Sequence, residues 1–150
     1  MTPVTPIVLA VEDDPNDSVL LDRAFGRLKA PVRLEIVADG QQALDYLAGR
    51  GNYADRYRYP FPHLLLLDIK LPRLSGLAVL EQVRAHPDTK RLPIVMLTSS
   101  DQGIDVARAY DGGANSYLVK PSEPHALREL VAALTEYWLR FNQPAEGRHG

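Results

Sequence analysis

The chain has 150 residues, 45% of them hydrophobic and 24% charged, with a formal net charge of −2 and no cysteine. That length suits one domain with a proper core, and the charge gives no general attraction to nucleic acid or anionic lipid. The missing cysteine excludes disulfides, thiolate metal sites and cysteine nucleophiles. No apolar run approaches the roughly 20 residues of a membrane span, and the start, Met1 to Pro6, lacks the basic flank and apolar stretch of a secretory signal. A cytoplasmic protein without membrane attachment is expected.

Pro6 to Val11 is a short apolar run ending in Glu12, Asp13, Asp14 and Pro15. It reads as a buried strand with acids at its carboxyl end, followed by an Asp14 N-cap and a proline at the first helical position. Val19, Leu20, Ala24, Phe25 and Leu28 then fall at helical spacing until Pro31. Val32 to Val37 alternates apolar and charged residues, as a peripheral strand does. Asp39-Gly40 turns into a second helix carrying Ala43, Leu44 and Leu47. The long loop from Gly49 to Pro62 interleaves Arg50, Arg56 and Arg58 with Tyr53, Tyr57 and Tyr59.

Leu64 to Leu67, four leucines in a row, precede Asp68 and then Pro72. They read as a strand buried on both faces that delivers a carboxylate to its carboxyl edge before proline turns the chain away. Leu77, Leu80 and Val83 mark a third helix, and Leu92 to Leu97 a fourth strand closing in Thr98, Ser99 and Ser100. Ile104, Ala107 and Tyr110 mark a fourth helix ended by Gly112-Gly113, and Asn115 to Val119 a fifth strand ending in Lys120-Pro121. Ser122 with Glu123 is expected to cap a last helix bearing Leu127, Leu130, Val131, Leu134, Trp138 and Phe141. Five strands alternating with five helices predict an α/β fold, a doubly wound parallel sheet with helices on both faces, and the flavodoxin-like order 2-1-3-4-5 is the expected arrangement. The expected organisation is one domain over residues 1–150, with its core at about 6–142 and a frayed tail at 143–150.

The strand ends gather Glu12, Asp13, Asp68, Thr98 and Lys120. Crowded carboxylates repel unless a cation shares their site, and oxygen-only ligands suit a hard ion such as Mg²⁺. A lysine and a hydroxyl opposite that metal make a phosphoryl site, with one carboxylate as nucleophile. Singly, each residue has a plainer explanation: a helix cap for Asp14, a surface residue for Lys120, a strand-end hydroxyl for Thr98, an edge aromatic for Tyr117.

Glu12-Asp13, Asp68, Thr98, Tyr117 and Lys120-Pro121, in this order at these strand ends, resemble the receiver domain of two-component response regulators over about residues 6–142. The resemblance implies that Asp68 accepts a phosphoryl group from a phosphohistidine of a sensor kinase, with Mg²⁺ held by Asp13, Asp68 and the backbone carbonyl of Lys70, and by Glu12 through water. It implies that Lys120 pairs with the phosphoryl oxygens from a cis Lys120-Pro121 bond, and that Thr98 and Tyr117 form the switch pair. It places lifetime tuning at Lys70 and Ser100, while the small Ser99 leaves room for the phosphodonor. Whether Lys70 holds the phosphoryl group or crowds an attacking water stays open. The long loop before the third strand and Tyr137-Trp138-Leu139 resemble the stand-alone regulators of bacterial and cyanobacterial phytochromes, which implies a light-sensing histidine kinase as donor. Slow self-dephosphorylation, and phosphorylation by small phosphodonors, would be the extent of any enzymatic activity.

Only eight residues follow the last helix, so no output domain is expected and readout is expected through protein binding. That helix, taken from Ser122 to Asn142, would run about 31 Å, beyond the sheet's cover. A homodimer through the fourth helix, fifth strand and fifth helix is therefore expected, with Tyr110, Tyr137, Trp138 and Phe141 as interface candidates. Two other readings of the chain remain: a degenerate receiver that only binds partners, and a haloacid dehalogenase-type phosphatase, which would need an aspartate where Lys70 stands. RNA stacking on the Arg/Tyr loop is weaker than a solvated loop whose tyrosines fold back on the body, and no nucleic acid is expected as a partner.

Overall fold

A computed structural model describes residues 4–145; residues 1–3 and, of the expected tail, residues 146–150 lie outside the described part. Strands and helices alternate: β1 (Ile7–Val11), α1 (Pro15–Gly26), β2 (Arg33–Val37), α2 (Gly40–Ala48), β3 (Leu64–Leu67), α3 (Gly76–Ala85), β4 (Ile94–Thr98), α4 (Gly103–Asp111), β5 (Ser116–Val119) and α5 (Pro124–Glu136). All neighbouring strands are parallel, in the order β2-β1-β3-β4-β5, so β1 and β3 lie side by side where the winding reverses.

The strand period of two sorts each apolar run between two cores. Leu9, Val11, Leu65, Leu67, Ile94 and Met96 face α2, α3 and α4, while Val8, Ala10, Leu64, Leu66, Val95 and Leu97 face α1 and α5. The four leucines of β3 thus serve both layers, and each contributes about 1.5–3 kcal/mol by burial. β2, at the edge, keeps its alternating character, and only Val37 is fully buried there.

Most helix starts follow from local chemistry. Asp14 caps α1 by accepting from the Asn16 N–H at 2.8 Å, with Pro15 at the first position. Asp39 caps α2 through the Gln42 N–H, and Ser75 caps α3 through Ala78. At α5 the expectation needs correcting. Glu123, not Ser122, is the cap, because its longer carboxylate reaches both the His125 and Ala126 N–H groups.

The end of α5 also differs from the straight overhang expected. A π-helical turn, Tyr137–Phe141, follows Glu136, closed by the Asn142 N–H donating to the Tyr137 carbonyl at 2.6 Å. One extra residue in the turn changes the phase of the apolar stripe. Trp138, one helical turn after Leu134, packs half-buried with Leu139 on the core shared by α1 and α5, while Tyr137 and Phe141 stay exposed. Tyr137 stands edge-on to the Trp138 ring at 4.9 Å. Among the described residues no helix is long and apolar enough to cross a membrane.

Candidate functional site

Register alone brings the site together. Val11 is level with Leu67, so Glu12 and Asp68 leave adjacent strands at the same height. Thr98 is level with Val119, so Lys120 emerges beside the hydroxyl. Carboxylate oxygens of Glu12, Asp13 and Asp68 lie within 4.8 Å of one another. Glu12 and Asp68 are buried, and Asp13 is exposed at the rim.

Lys120 is the cation among them. Its ammonium donates to Asp68 Oδ2 at 2.9 Å, to Glu12 Oε1, and to Asp17 Oδ2 at 3.1 Å. Burial disfavours its charge, yet the hydrogen bonds to Asp68 and Glu12 and their negative charges outweigh that and raise its pKa. Burial conversely raises the pKa of Glu12, and the hydrogen bonds from Lys120 and the Asp14 N–H only partly offset it. Three carboxylates thus share one ammonium, with the Asp13 carboxylate beside Glu12 and Asp68. The surplus negative charge, borne on hard oxygen donors alone, fits a divalent cation at Glu12, Asp13 and Asp68.

Backbone packing fixes Asp68. The Gly76 N–H donates to the Ile69 carbonyl at 2.8 Å, and a Cβ on Gly76 would come within 1.8 Å of the Asp68 carbonyl oxygen. Only glycine lets the start of α3 rest on the acid's own peptide.

Thr98 is buried, and its hydroxyl accepts from the Ser100 N–H at 3.4 Å. Tyr117 lies with its ring against the α2–α4 core and its hydroxyl donating to the Ser100 carbonyl at 2.8 Å. Ser100 Oγ is turned away, donating to Asp105 Oδ2 at 2.6 Å, while Ser99 is exposed. Lys70 stands exposed just beyond Asp68. The cis Lys120-Pro121 bond is corrected: no peptide among the described residues is cis, and the lysine reaches all three acids from the ordinarily preferred trans form. Sequence reasoning missed two residues. Asp17 had a signal, one helical turn after the Asp14 cap and so turned back to the strand edge; Gly76 had none beyond following a serine cap.

The Arg/Tyr loop closes on itself. Tyr46, Tyr53 and Tyr59 cluster with ring centroids 5.1–5.9 Å apart, and Tyr46 Oη donates to the Pro60 carbonyl. Arg56 donates to the Tyr46 carbonyl at 2.7 Å and to Leu47 and Tyr53, closing the carboxyl end of α2. Arg50 pairs with Asp45, and Arg58 lies over Tyr59. Only Tyr57 of these aromatics projects fully into solvent, at 97% exposure.

Residues 8–132 match the family model described as the response regulator receiver domain. The chain is 39% identical to the probable methanogenesis regulatory protein FilR2 of Methanothrix harundinacea, over 91% of this chain and 86% of that one. It is 35% identical to the response regulator Rcp1 of Synechocystis, over 89% and 88% of the two chains. The Mn²⁺-bound structure of Rcp1 superposes with a TM-score of 0.83 at 33% identity, over 94% of this chain and 99% of that one. The phosphorylated cyanobacterial phytochrome response regulator RcpA gives 0.88 at 31% identity, over 95% and 100%. The family model over residues 8–132 and these relatives show that the chain belongs to the response regulator receiver domain family.

Proposed function

We propose that Asp68 accepts a phosphoryl group from the phosphohistidine of a sensor histidine kinase, and that the phosphorylated protein signals by binding other proteins. The observation that carries this reading is the Asp68–Lys120 contact of 2.9 Å inside a nest of carboxylates. The ammonium of Lys120 holds one Asp68 oxygen in place at the strand end, where the carboxylate can act as a nucleophile. An Asp68 oxygen bonds to phosphorus as the P–N bond breaks, and the electron pair leaves on the imidazole. Lys120 then takes a non-bridging oxygen, and the Thr98 hydroxyl, already at the strand end, donates to another. Glu12, Asp13, Asp68 and the Lys70 backbone carbonyl would hold Mg²⁺, whose charge neutralises the phosphoryl oxygens. The same groups support phosphorylation by small phosphodonors and a slow return by water.

With Thr98 drawn to the phosphoryl group, Tyr117 keeps its ring inward behind it, and the Ser100 carbonyl is the anchor. This face leads to α4, β5 and α5. Five of the eight large apolar side chains exposed among the described residues lie there: Ile104, Tyr110, Val119, Tyr137 and Phe141. That concentration supports a homodimer through α4, β5 and the end of α5. Trp138, half-buried under Tyr137, would support that surface from beneath. A phytochrome-type kinase is the donor favoured by the likeness to RcpA, and a cytoplasmic site of action goes with such a donor.

A phosphorylated histidine kinase incubated with the protein and Mg²⁺ should transfer its label, and either EDTA or Asp68→Asn should abolish the transfer. Labelling that survives Asp68→Asn would overturn the assignment. A kinase that fails while acetyl phosphate succeeds would remove only the named donor. Absence of labelling by every donor would favour the degenerate receiver.

A further inference from the structure

Lys120 has three N–H donors, and all three end on carboxylates: Glu12, Asp68 and Asp17. To take a phosphoryl oxygen the ammonium has to release one of them. The three acceptors are not equivalent. Side chains of Glu12 and Asp68 are 5% and 9% exposed, whereas Asp17 is 39% exposed. Glu12 is pinned a second time by the Asp14 N–H. Losing a hydrogen bond to a buried carboxylate leaves it desolvated, while water replaces the bond to Asp17 at little cost.

We propose that Asp17 is a positioning residue that parks the Lys120 ammonium in the unphosphorylated protein and is the acceptor exchanged when a phosphoryl oxygen arrives. The inference rests on Asp68 being the phosphoacceptor. Asp17 sits in the first turn of α1, on an element separate from every strand end of the site, so the brake is supplied by the helix and not by the sheet. It sets a threshold: the free protein holds its lysine against weak phosphodonors, and anything that draws Asp17 away, such as a cationic side chain docking on α1, lowers that threshold.

The test measures beryllofluoride binding, in the presence of Mg²⁺, to wild type, Asp17→Ala and Asp17→Glu. Asp17→Ala is expected to bind about two- to fivefold more tightly, the scale of one half-exposed ion pair. Asp17→Glu, which keeps the charged acceptor, is expected to return to the wild-type affinity. Asp14→Ser, which removes a neighbouring negative charge at the start of α1 while keeping a capping oxygen, separates parking from general repulsion of an anion. A gain in Asp17→Ala that Asp14→Ser does not share supports exchange at the ammonium. Unchanged or weaker binding by Asp17→Ala, or an equal gain in Asp14→Ser, would overturn the proposal. If wild type itself bound no beryllofluoride, the phosphoacceptor reading would fail first, which keeps the two failures distinct.

Discussion

The carboxyl edge of the sheet and the loop from Gly49 to Pro62 both look reactive in the sequence, and the structure separates them by how their polar groups are spent. In the loop, Arg56 donates to carbonyls at the end of α2, Arg50 pairs with Asp45, and the Tyr46 hydroxyl is used on Pro60. Each donor has found an acceptor that folding itself supplies. At the sheet edge three carboxylates share one ammonium with Asp13 beside them, an arrangement that burial makes costly and that a cation would relieve. Unresolved charge marks the site; resolved charge marks a staple. Tyr57, exposed at the loop tip, is the exception on the stapled side.

The largest effect that sharpens this contrast is expected at Gly76. Its missing Cβ is the space in which the Asp68 carbonyl lies, so Gly76→Ala should cost about 3 kcal/mol in urea denaturation and also lower phosphoryl acceptance. Wild-type stability in that variant would show that α3 does not rest on the acid.

Next comes the tyrosine cluster. Burial pushes the Tyr46 hydroxyl up to about 12, against about 10 in the unfolded chain. Below pH 10 both states keep the proton and the contribution is intact. Between pH 10 and 12 the unfolded chain loses its proton and the folded one does not, so stability falls as pH rises, by on the order of 2 kcal/mol in all. Denaturation midpoints followed over that window should decline less steeply in Tyr46→Phe; parallel declines would mean the ring is not held as described.

Arg56→Ala should destabilise the fold by about 1.5 kcal/mol through the lost bonds to the α2 carbonyls, yet leave phosphorylation of Asp68 unchanged. A drop in labelling without a drop in stability would move the loop from staple to site. Phe141→Ala should have the smallest effect on the monomer, within about 0.5 kcal/mol, because its ring is exposed. Its expected consequence is a shift toward monomer in sedimentation, and an unchanged distribution would contradict the dimer surface.

Much of this was legible in the sequence for a physical reason. Apolar runs of strand length ending in acids, a hydroxyl and a lysine encode both the layer and the edge, because a buried parallel strand has no other place to put a charge. What escaped depends on phase and packing. Asp17 meets Lys120 only once the turn of α1 is laid over the strand ends. Phe141, which the apolar stripe groups with Trp138, is left exposed at the end of a π-helical turn that the stripe does not announce. Glu123 displaced Ser122 as a cap because reach, not residue preference, decided which oxygen met two N–H groups. The Arg/Tyr alternation looked like a binding surface because sequence shows side chains and not the carbonyls they will find.

The central claim is that Asp68, among the four acids of the site, is the nucleophile. Its most direct test is to phosphorylate the protein with Mg²⁺ present, reduce the acyl phosphate with borohydride, and locate the resulting homoserine by peptide mass mapping. The account predicts homoserine at position 68 and nowhere else. Homoserine at Asp13 or Asp17 with Asp68 intact would contradict it.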